Sequence, residues 1–93
     1  MEVKVNILYP HLQQFTDNQD VVKVNGTTVG ECLHHLVERF PGIGKGIFDE
    51  HGKLLDYVDI YINGESTATY PEPLSDPVED GDELSIVLMI GGG

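Results

Sequence analysis

Basic residues and cysteine are both scarce in this 93-residue chain. Five Lys and Arg residues stand against sixteen Asp and Glu residues, which gives a formal net charge of −11. Because the phosphates of nucleic acids and of anionic membranes attract basic surfaces, we expect neither as a partner, and expect instead a protein with a basic docking surface. The single cysteine allows neither a disulfide within the chain nor a Cys-rich zinc site, a pattern typical of a reducing compartment.

Long apolar runs are also missing. The chain contains no apolar run of about 18 residues, the length of a membrane-spanning helix. The first ten residues, MEVKVNILYP, lack the basic stretch and apolar run of a signal peptide. With 40% apolar and 23% charged residues, the composition is typical of a globular chain, and 93 residues leave room for one core. We therefore expect one soluble, cytoplasmic domain.

Four segments show the two-residue apolar alternation of strands with one buried face. They are residues 3–9, 20–24, 57–62 and 83–90, and turns are marked by Asn25-Gly26, Asn63-Gly64 and Asp80-Gly81-Asp82. The predicted buried residues of the first and last segments are Val3, Val5, Ile7, Leu84, Ile86 and Leu88. A further short strand is predicted at residues 54–55.

The segment after Thr28 predicts the main helix. Thr28 is a favourable N-cap, and Glu31 follows at the spacing of a capping box. The apolar residues recur at helical spacing and form one stripe: Val29, Cys32, Leu33, Leu36, Val37 and Phe40. Pro41-Gly42 ends the pattern, because the residue before proline is driven out of the helical region.

Two segments have no clear period. Residues 11–19 are predicted to form a loop that buries Leu12 or Phe15. Residues 65–77, with three prolines, are predicted to be mostly irregular, with Leu74 as their anchor in the core. The resulting order, β-β-α-β-β, predicts an α+β fold: a mixed sheet of four to five strands with one main helix packed on one face. The opposite face of the sheet is then left partly uncovered.

No cluster of residues predicts an active site in the domain itself. Cys32 lies on the apolar stripe of the helix, where a buried and unreactive thiol is expected. His34 and His35 are adjacent and point to different sides of the helix, so we expect no metal site there. Asp80-Gly81-Asp82 lacks the further spaced acidic ligands of a calcium loop.

The chain ends in Gly91, Gly92 and Gly93 directly after a β-forming run. One interpretation is a frayed end. The other is an arm for threading into a partner, since residues 90–93 extend roughly 13–14 Å and glycines pass through a channel too narrow for side chains. Its reactive group is the α-carboxylate of Gly93, which is ionised at neutral pH. We predict a folded domain over residues 1–90 and a flexible tail over residues 91–93.

The whole chain resembles the β-grasp fold of ubiquitin and of the MoaD/ThiS sulfur-carrier proteins. VEDGDEL at residues 78–84 is similar to the acidic turn that leads into their last strand, and MIGGG at residues 89–93 is similar to their diglycine end. YVDIYING at residues 57–64 and the capped helix match in type and place. Gly91 stands where members usually have Ala or Ser, so the functional pair would be Gly92-Gly93. The length and the tail are most similar to those of MoaD/CysO-like members.

The resemblance implies a carrier that is a substrate of other enzymes and not a catalyst. A MoeB/ThiF-like activating enzyme would use ATP to adenylate Gly93, and sulfur would then replace AMP to give a thiocarboxylate. The acceptor would be a cysteine-synthase-like enzyme, with a JAMM-type metalloprotease, or the large subunit of molybdopterin synthase. The resemblance leaves these alternatives open, and it implies no cofactor bound by the carrier itself.

Two other uses of the same carboxylate remain open. The chain could be a ubiquitin-like modifier joined to lysines of target proteins, or a permanent small subunit whose tail stays inside a synthase. The resemblance also implies docking on the activating enzyme through an apolar patch beside the tail. We predict that Leu8, Val87 and Met89 form this docking patch on the uncovered face of the sheet.

Overall fold

The computed structural model describes residues 1–89, so the predicted tail and the predicted last strand residue, Ile90, lie outside the described residues. The strands are β1 (Glu2–Ile7), β2 (Val21–Asn25), β3 (Val58–Ile62), β4 (Glu65–Ser66) and β5 (Glu83–Leu88). The α-helices are α1 (Pro10–Gln13) and α2 (Val29–Arg39), and 3₁₀ turns cover Pro41–Gly46 and Pro73–Ser75.

The strands form one mixed sheet in the order β2-β1-β5-β3-β4. The first and last strands, β1 and β5, lie side by side and parallel, while the other neighbouring pairs are antiparallel. The parallel pair is possible because a long connection that includes α2 separates the two strands in sequence. The predicted mixed sheet is therefore confirmed, and its centre is the strand that leads to the C-terminus.

The core lies between α2 and one face of the sheet. Every second residue of β1 and β5 faces it, as the alternation predicted, and the exposed fraction of Val5 and Ile86 is 0%. From α2, the core receives Val29, Cys32, Leu33 and Leu36. Because helix and strand patterns point their apolar residues at the same space, burial of these side chains supplies the main stabilisation of the fold.

The start of α2 shows why the helix begins where it does. The Thr28 Oγ1 accepts a hydrogen bond of 3.1 Å from the N–H of Glu31, so the predicted N-cap is confirmed. The Glu31 carboxylate accepts bonds of 2.8 Å from both the N–H and the hydroxyl of Thr27, one residue earlier than in a capping box. These two bonds lower the pKa of Glu31.

The observed secondary structure differs from the prediction in the two segments that were expected to be irregular. Residues 10–13 form the short helix α1 where a loop was predicted, because Pro10 at its first position is compatible with a helical turn. Leu12 is buried and Phe15 is exposed, which decides between the two predicted anchors. Residues 65–66 form β4 inside the segment predicted to be irregular, and Leu74 packs against the core as predicted.

Gly30 marks the closest approach between α2 and the segment after β4. A Cβ at this position would lie 2.9 Å from the carbonyl oxygen of Leu74, so the missing side chain lets the two backbones meet. No helix in residues 1–89 has the length and apolar character required to cross a membrane.

Candidate docking site beside the C-terminal segment

The end of β5 is the last part of the chain that the structure describes. The strand lies between β1 and β3, and the N–H of Met89, the last described residue, still donates a 2.7 Å bond to the carbonyl of Tyr57. The N–H of Leu88 donates a 2.9 Å bond to the Tyr9 hydroxyl. These two bonds hold the last described residues of the chain against both neighbouring segments. The reactive residue predicted from the sequence, Gly93, and its neighbours Gly91 and Gly92 follow beyond the described part.

The three residues of the predicted docking patch lie together on the face of the sheet opposite α2. Ile7 pairs with Ile86 across the parallel strands, so the next residues, Leu8 and Val87, are neighbours. Because Ile86 and Leu88 are buried, Val87 and Met89 point to the other face. The exposed fractions of Leu8 and Met89 are 54% and 47%, and Val87 is half-buried.

One large residue beside the docking patch was not predicted as part of it. Tyr57 is 49% exposed, and its carbonyl accepts the bond from Met89. The sequence did carry a signal for it, since Tyr57 alternates with Asp59 and Tyr61 and therefore shares their face of β3. Together with Leu8 and Met89, it gives this face three large exposed apolar side chains close to the end of β5. Such a group is typical of an interaction surface, whereas single exposed apolar residues are common on any protein.

A buried carboxylate lies next to this patch. Asp59 pairs with Val87 in the sheet and is only 4% exposed. The Ser66 hydroxyl donates a hydrogen bond to its Oδ2, and the N–H of Ala68 donates to the Ser66 hydroxyl at 3.1 Å. The predicted face of Asp59 is confirmed, but its burial depends on β4, which the sequence did not predict. This chain of bonds ties the short strand β4 to the edge of the patch.

The acidic turn before β5 has a structural role. Gly81 has φ +88°, which favours glycine, and the Asp82 carboxylate accepts bonds from the N–H of Glu79 at 2.7 Å and the side-chain amide of Asn63 at 3.1 Å. These bonds lower the pKa of Asp82. The Asp80 carboxylate accepts a 2.8 Å bond from the N–H of Glu2. The carboxylates of this turn therefore fix the start of β5 against β1 and the β3–β4 turn.

The remaining candidates from the sequence fall outside this site. Cys32 is fully buried, and burial raises the pKa of its thiol, so the thiolate form is disfavoured. His35 is half-buried and its Nδ1 accepts a bond from the N–H of Asn25, while His34 lies 6.1 Å from the Phe48 ring. Among residues 1–89, no group of three His, Cys, Asp or Glu side chains is arranged to hold a metal ion.

The sheet order, the single long helix across one face and the central last strand define a ubiquitin-like β-grasp protein. The chain belongs to the ThiS family, whose family model matches residues 7–93. It is thus a homologue of a protein named as a sulfur carrier and of a protein named as a small archaeal modifier.

Two relatives match over nearly their whole length. The sulfur carrier protein CysO of Mycobacterium tuberculosis is 33% identical over 89 residues, which cover 94% of this chain and 90% of that protein. Small archaeal modifier protein 1 of Haloferax volcanii is 32% identical over 88 residues, which cover 92% of this chain and 95% of that protein.

A solved structure agrees with these relatives. One chain of the crystal structure of the BexX/CysO complex from Amycolatopsis orientalis matches with a TM-score of 0.84 and 30% identity. The match covers 98% of this chain and 99% of that chain, so the two proteins share this fold. The predicted membership in the MoaD/ThiS-type carriers is confirmed.

Proposed function

We propose that this protein is a sulfur carrier whose C-terminal carboxylate, on Gly93, is converted to a thiocarboxylate by a partner enzyme. The observation that carries the proposal is the position of β5: the central strand of the sheet ends beside the exposed side chains of Leu8 and Met89. Similarity to the sulfur carrier protein CysO over 94% of the chain supports it.

The chemistry requires a partner, because a carboxylate is a poor electrophile. In the proposed cycle an oxygen of the Gly93 carboxylate attacks the α-phosphorus of ATP, and pyrophosphate leaves. Hydrosulfide then attacks the acyl carbon of the adenylate, AMP leaves with the bonding electron pair, and the remaining S–H proton is lost to solvent. The product is a thiocarboxylate that passes its sulfur to an acceptor. ATP is bound by the activating enzyme, which we propose to be MoeB/ThiF-like.

The docking patch gives the activating enzyme a place to hold the carrier while the tail enters its active site. Leu8, Val87 and Met89 supply apolar area, and the surrounding acidic protein, with a net charge of −11, favours a partner with a basic rim. Since three glycines add no side-chain contacts, the side-chain part of the binding energy for the activation step comes from the folded body.

The cycle ends at an enzyme that accepts the sulfur. We propose a cysteine-synthase-like enzyme, with a JAMM-type metalloprotease releasing the product, because the CysO relative spans nearly the whole chain. A molybdopterin synthase large subunit is the other acceptor that the same thiocarboxylate could serve, with this protein as the small subunit of the complex. Both acceptors use the tail in the same way.

Changes in the length of the C-terminal tail test the proposed sulfur-carrier function. Deletion of Gly92-Gly93 is expected to abolish ATP-pyrophosphate exchange by the cognate activating enzyme and to abolish sulfide transfer. The melting temperature should stay nearly unchanged, which serves as the folding control. One residue added after Gly93 should block activation until it is cleaved off. Sulfide transfer by the truncated protein, or full activity of an uncleavable extension, would contradict the proposal.

A second candidate function uses the same carboxylate as a protein modifier. The observation that favours it is the 32% identity to small archaeal modifier protein 1 over 88 residues. In this case the acyl carbon of Gly93 would form an isopeptide bond with the amine of a target lysine. Blots of native extracts separate the two functions: a ladder of high-mass conjugates that disappears with the Gly92-Gly93 deletion indicates a modifier, and a single low-mass species indicates a carrier only.

A further inference from the structure

β2 is an edge strand of the sheet and contacts α2. No strand pairs with its outer edge in the described part of the chain. Alternate residues of this segment bond to β1, as shown by the carbonyl of Asp20, which accepts a 2.8 Å bond from the N–H of Ile7. The N–H and carbonyl groups of Val21, Lys23 and Asn25 therefore point away from the sheet. Such outward groups can pair with a further strand.

Two of these outward groups are held by side chains from α2. The N–H of Asn25 donates a 2.8 Å bond to the Nδ1 of His35. One helical turn later, the guanidinium of Arg39 donates a 2.6 Å bond to the carbonyl of Lys23. Both bonds occupy positions that a neighbouring strand would otherwise fill. A strand that binds here replaces them with backbone bonds, and the two side chains regain rotational freedom while the freed guanidinium is hydrated.

Much of the scarce positive charge of the molecule lies at this edge or one strand away from it. Lys4 and Lys23 are opposite each other in the β1–β2 pairing, and both are exposed. The guanidinium of Arg39 reaches the same strand from the helix side. Three of the five basic residues of the chain therefore lie within one strand pair and its helix, and none of the three forms an ion pair with a carboxylate in the described part of the chain.

We propose that the outer edge of β2 is a second interaction surface, which binds an extended segment of a partner protein by strand addition, with a carboxylate of that segment against Lys23. This surface goes beyond the proposed carrier chemistry. β1 separates it from β5, so a partner at the edge and an activating enzyme on the docking patch approach from different directions.

The strand geometry defines the segment further. A residue opposite Lys23 places its side chain on the same face as Lys23, so an acidic residue is favoured there. The residues on either side point to the α2 face, next to Val22 and Val24, so small apolar residues suit those places. A carboxylate at the ends of the segment is disfavoured by Asp20 at one end and Glu2 at the other.

A second copy of this chain is a poorer occupant. Pairing β2 with the same strand of another molecule would bring two Lys23 side chains together, and like charges opposite each other destabilise strand pairs. Two chains that each carry a net charge of −11 also repel one another. The observations therefore favour a partner segment with a central acidic residue.

The experiment uses isotope-labelled full-length protein and the capped peptide STVEVTS. We expect its addition to shift the amide signals of Val21, Lys23 and Asn25 and to slow their hydrogen exchange. The peptide STVKVTS should bind more weakly, by a factor of up to about five, since surface charge pairs are worth up to about 1 kcal/mol. Shifts confined to Leu8, Val87 and Met89, equal binding of both peptides, or shifts on raising the protein concentration alone would overturn the proposal.

A charge reversal provides the matched control. Lys23→Glu should reverse the preference, so that STVKVTS binds more tightly than STVEVTS. Lys53→Glu makes the same charge change on an exposed loop and should leave the preference unchanged. Retained dispersion of the core amide signals shows that each variant is folded. An unchanged peptide preference in folded Lys23→Glu would overturn the role of this lysine and with it the proposed segment chemistry.

Discussion

The two faces of the sheet are built from the same strands but serve different purposes. On the α2 face, Val5 and Ile86 are completely buried and belong to the core. On the open face, Leu8 and Met89, which directly follow β1 and β5, remain about half exposed although they are large and apolar. Strand alternation makes this division possible, because neighbouring residues point to opposite sides. Stability is therefore concentrated on one face, and the recognition that we propose is on the other.

The comparison has a direct consequence for substitutions. Changes on the α2 face are expected to act on folding, and changes on the open face are expected to act on partners. Adjacent residues of β5 test this most sharply, since Ile86 and Val87 differ by one position in sequence and by the face on which they lie.

The largest effect is expected for Ile86→Ala. It removes a fully buried side chain from the central strand and leaves a cavity, which costs about 2–5 kcal/mol of the free energy of unfolding. Urea unfolding followed by circular dichroism measures the loss. Val87→Ala, on the other face, should cost less than about 1 kcal/mol. Equal losses for the two variants would contradict the division between the faces.

A smaller effect is expected for Gly30→Ala on the helix that covers the buried face. The new Cβ would meet the Leu74 carbonyl oxygen at 2.9 Å, and this close contact outweighs the roughly 1 kcal/mol that alanine gains over glycine in a helix. We expect a net loss of about 1–2 kcal/mol in the free energy of unfolding.

Thermal unfolding compares this variant with Gly44→Ala. At Gly44 the nearest neighbour of an added Cβ is the Val37 side chain at 3.3 Å, which can move more easily than a backbone carbonyl. The loss at Gly44 should therefore be the smaller of the two. A stabilised Gly30→Ala variant would show that α2 does not need the close approach.

A pH-dependent effect is expected from two hydrogen-bonded carboxylates: Glu31 in the first turn of α2 and Asp82 directly before β5. Bonds from Thr27 hold the pKa of Glu31 below its usual 4.5, and bonds from Glu79 and Asn63 hold the pKa of Asp82 below its usual 3.8. A carboxylate whose pKa is lower in the folded state than in the unfolded chain stabilises the fold. This stabilisation is complete at pH values above the pKa of the group in the unfolded chain. This stabilisation is lost as the pH falls through the folded value.

Urea midpoints measured between pH 7 and pH 2.5 test this prediction. Glu31→Gln should be less stable than the unmodified protein at pH 7, and the difference should shrink towards the acid end. Glu38→Gln makes the same charge change on the exposed side of α2 and is the control. A difference for Glu31→Gln that stays constant with pH would contradict the role of the ionised carboxylate.

The smallest effect on stability is expected on the open face. Val87→Ala combined with Met89→Ala should change the melting temperature by no more than a few degrees. The same variant should raise the KM of the carrier for its activating enzyme, because apolar contact area is lost. Tyr70→Ala removes a large side chain that is 38% exposed outside the docking patch, and should leave the KM unchanged. Unchanged activation of the double variant would refute the docking patch.

The parts of the fold that follow local rules could be predicted from the sequence. The alternation in β1 and β5 and the cap at Thr28 depend on residues only two or three positions apart. The four-residue helix at Pro10 and the two-residue strand at Glu65 are too short to produce a period. They depend on contacts with the rest of the domain, which a local pattern does not contain.

The candidate site shows the same limit. Leu8, Val87 and Met89 could be placed on one face because strand alternation fixes the direction of each side chain. The burial of Asp59 could not be predicted, because it requires Ser66 from β4. The bonds from His35 and Arg39 to the edge of β2 likewise join residues 10 and 16 positions apart. Such contacts become visible only when the helix is docked on the sheet.

The central claim is that Gly93 carries sulfur, and intact-mass spectrometry tests it most directly. The purified protein is incubated with its activating enzyme, ATP and a sulfur donor. The proposal predicts a mass increase equal to the exchange of one oxygen for one sulfur, located by fragmentation on the C-terminal glycine and missing when ATP is omitted. An unchanged mass for a carrier that the same enzyme demonstrably adenylates would contradict the claim.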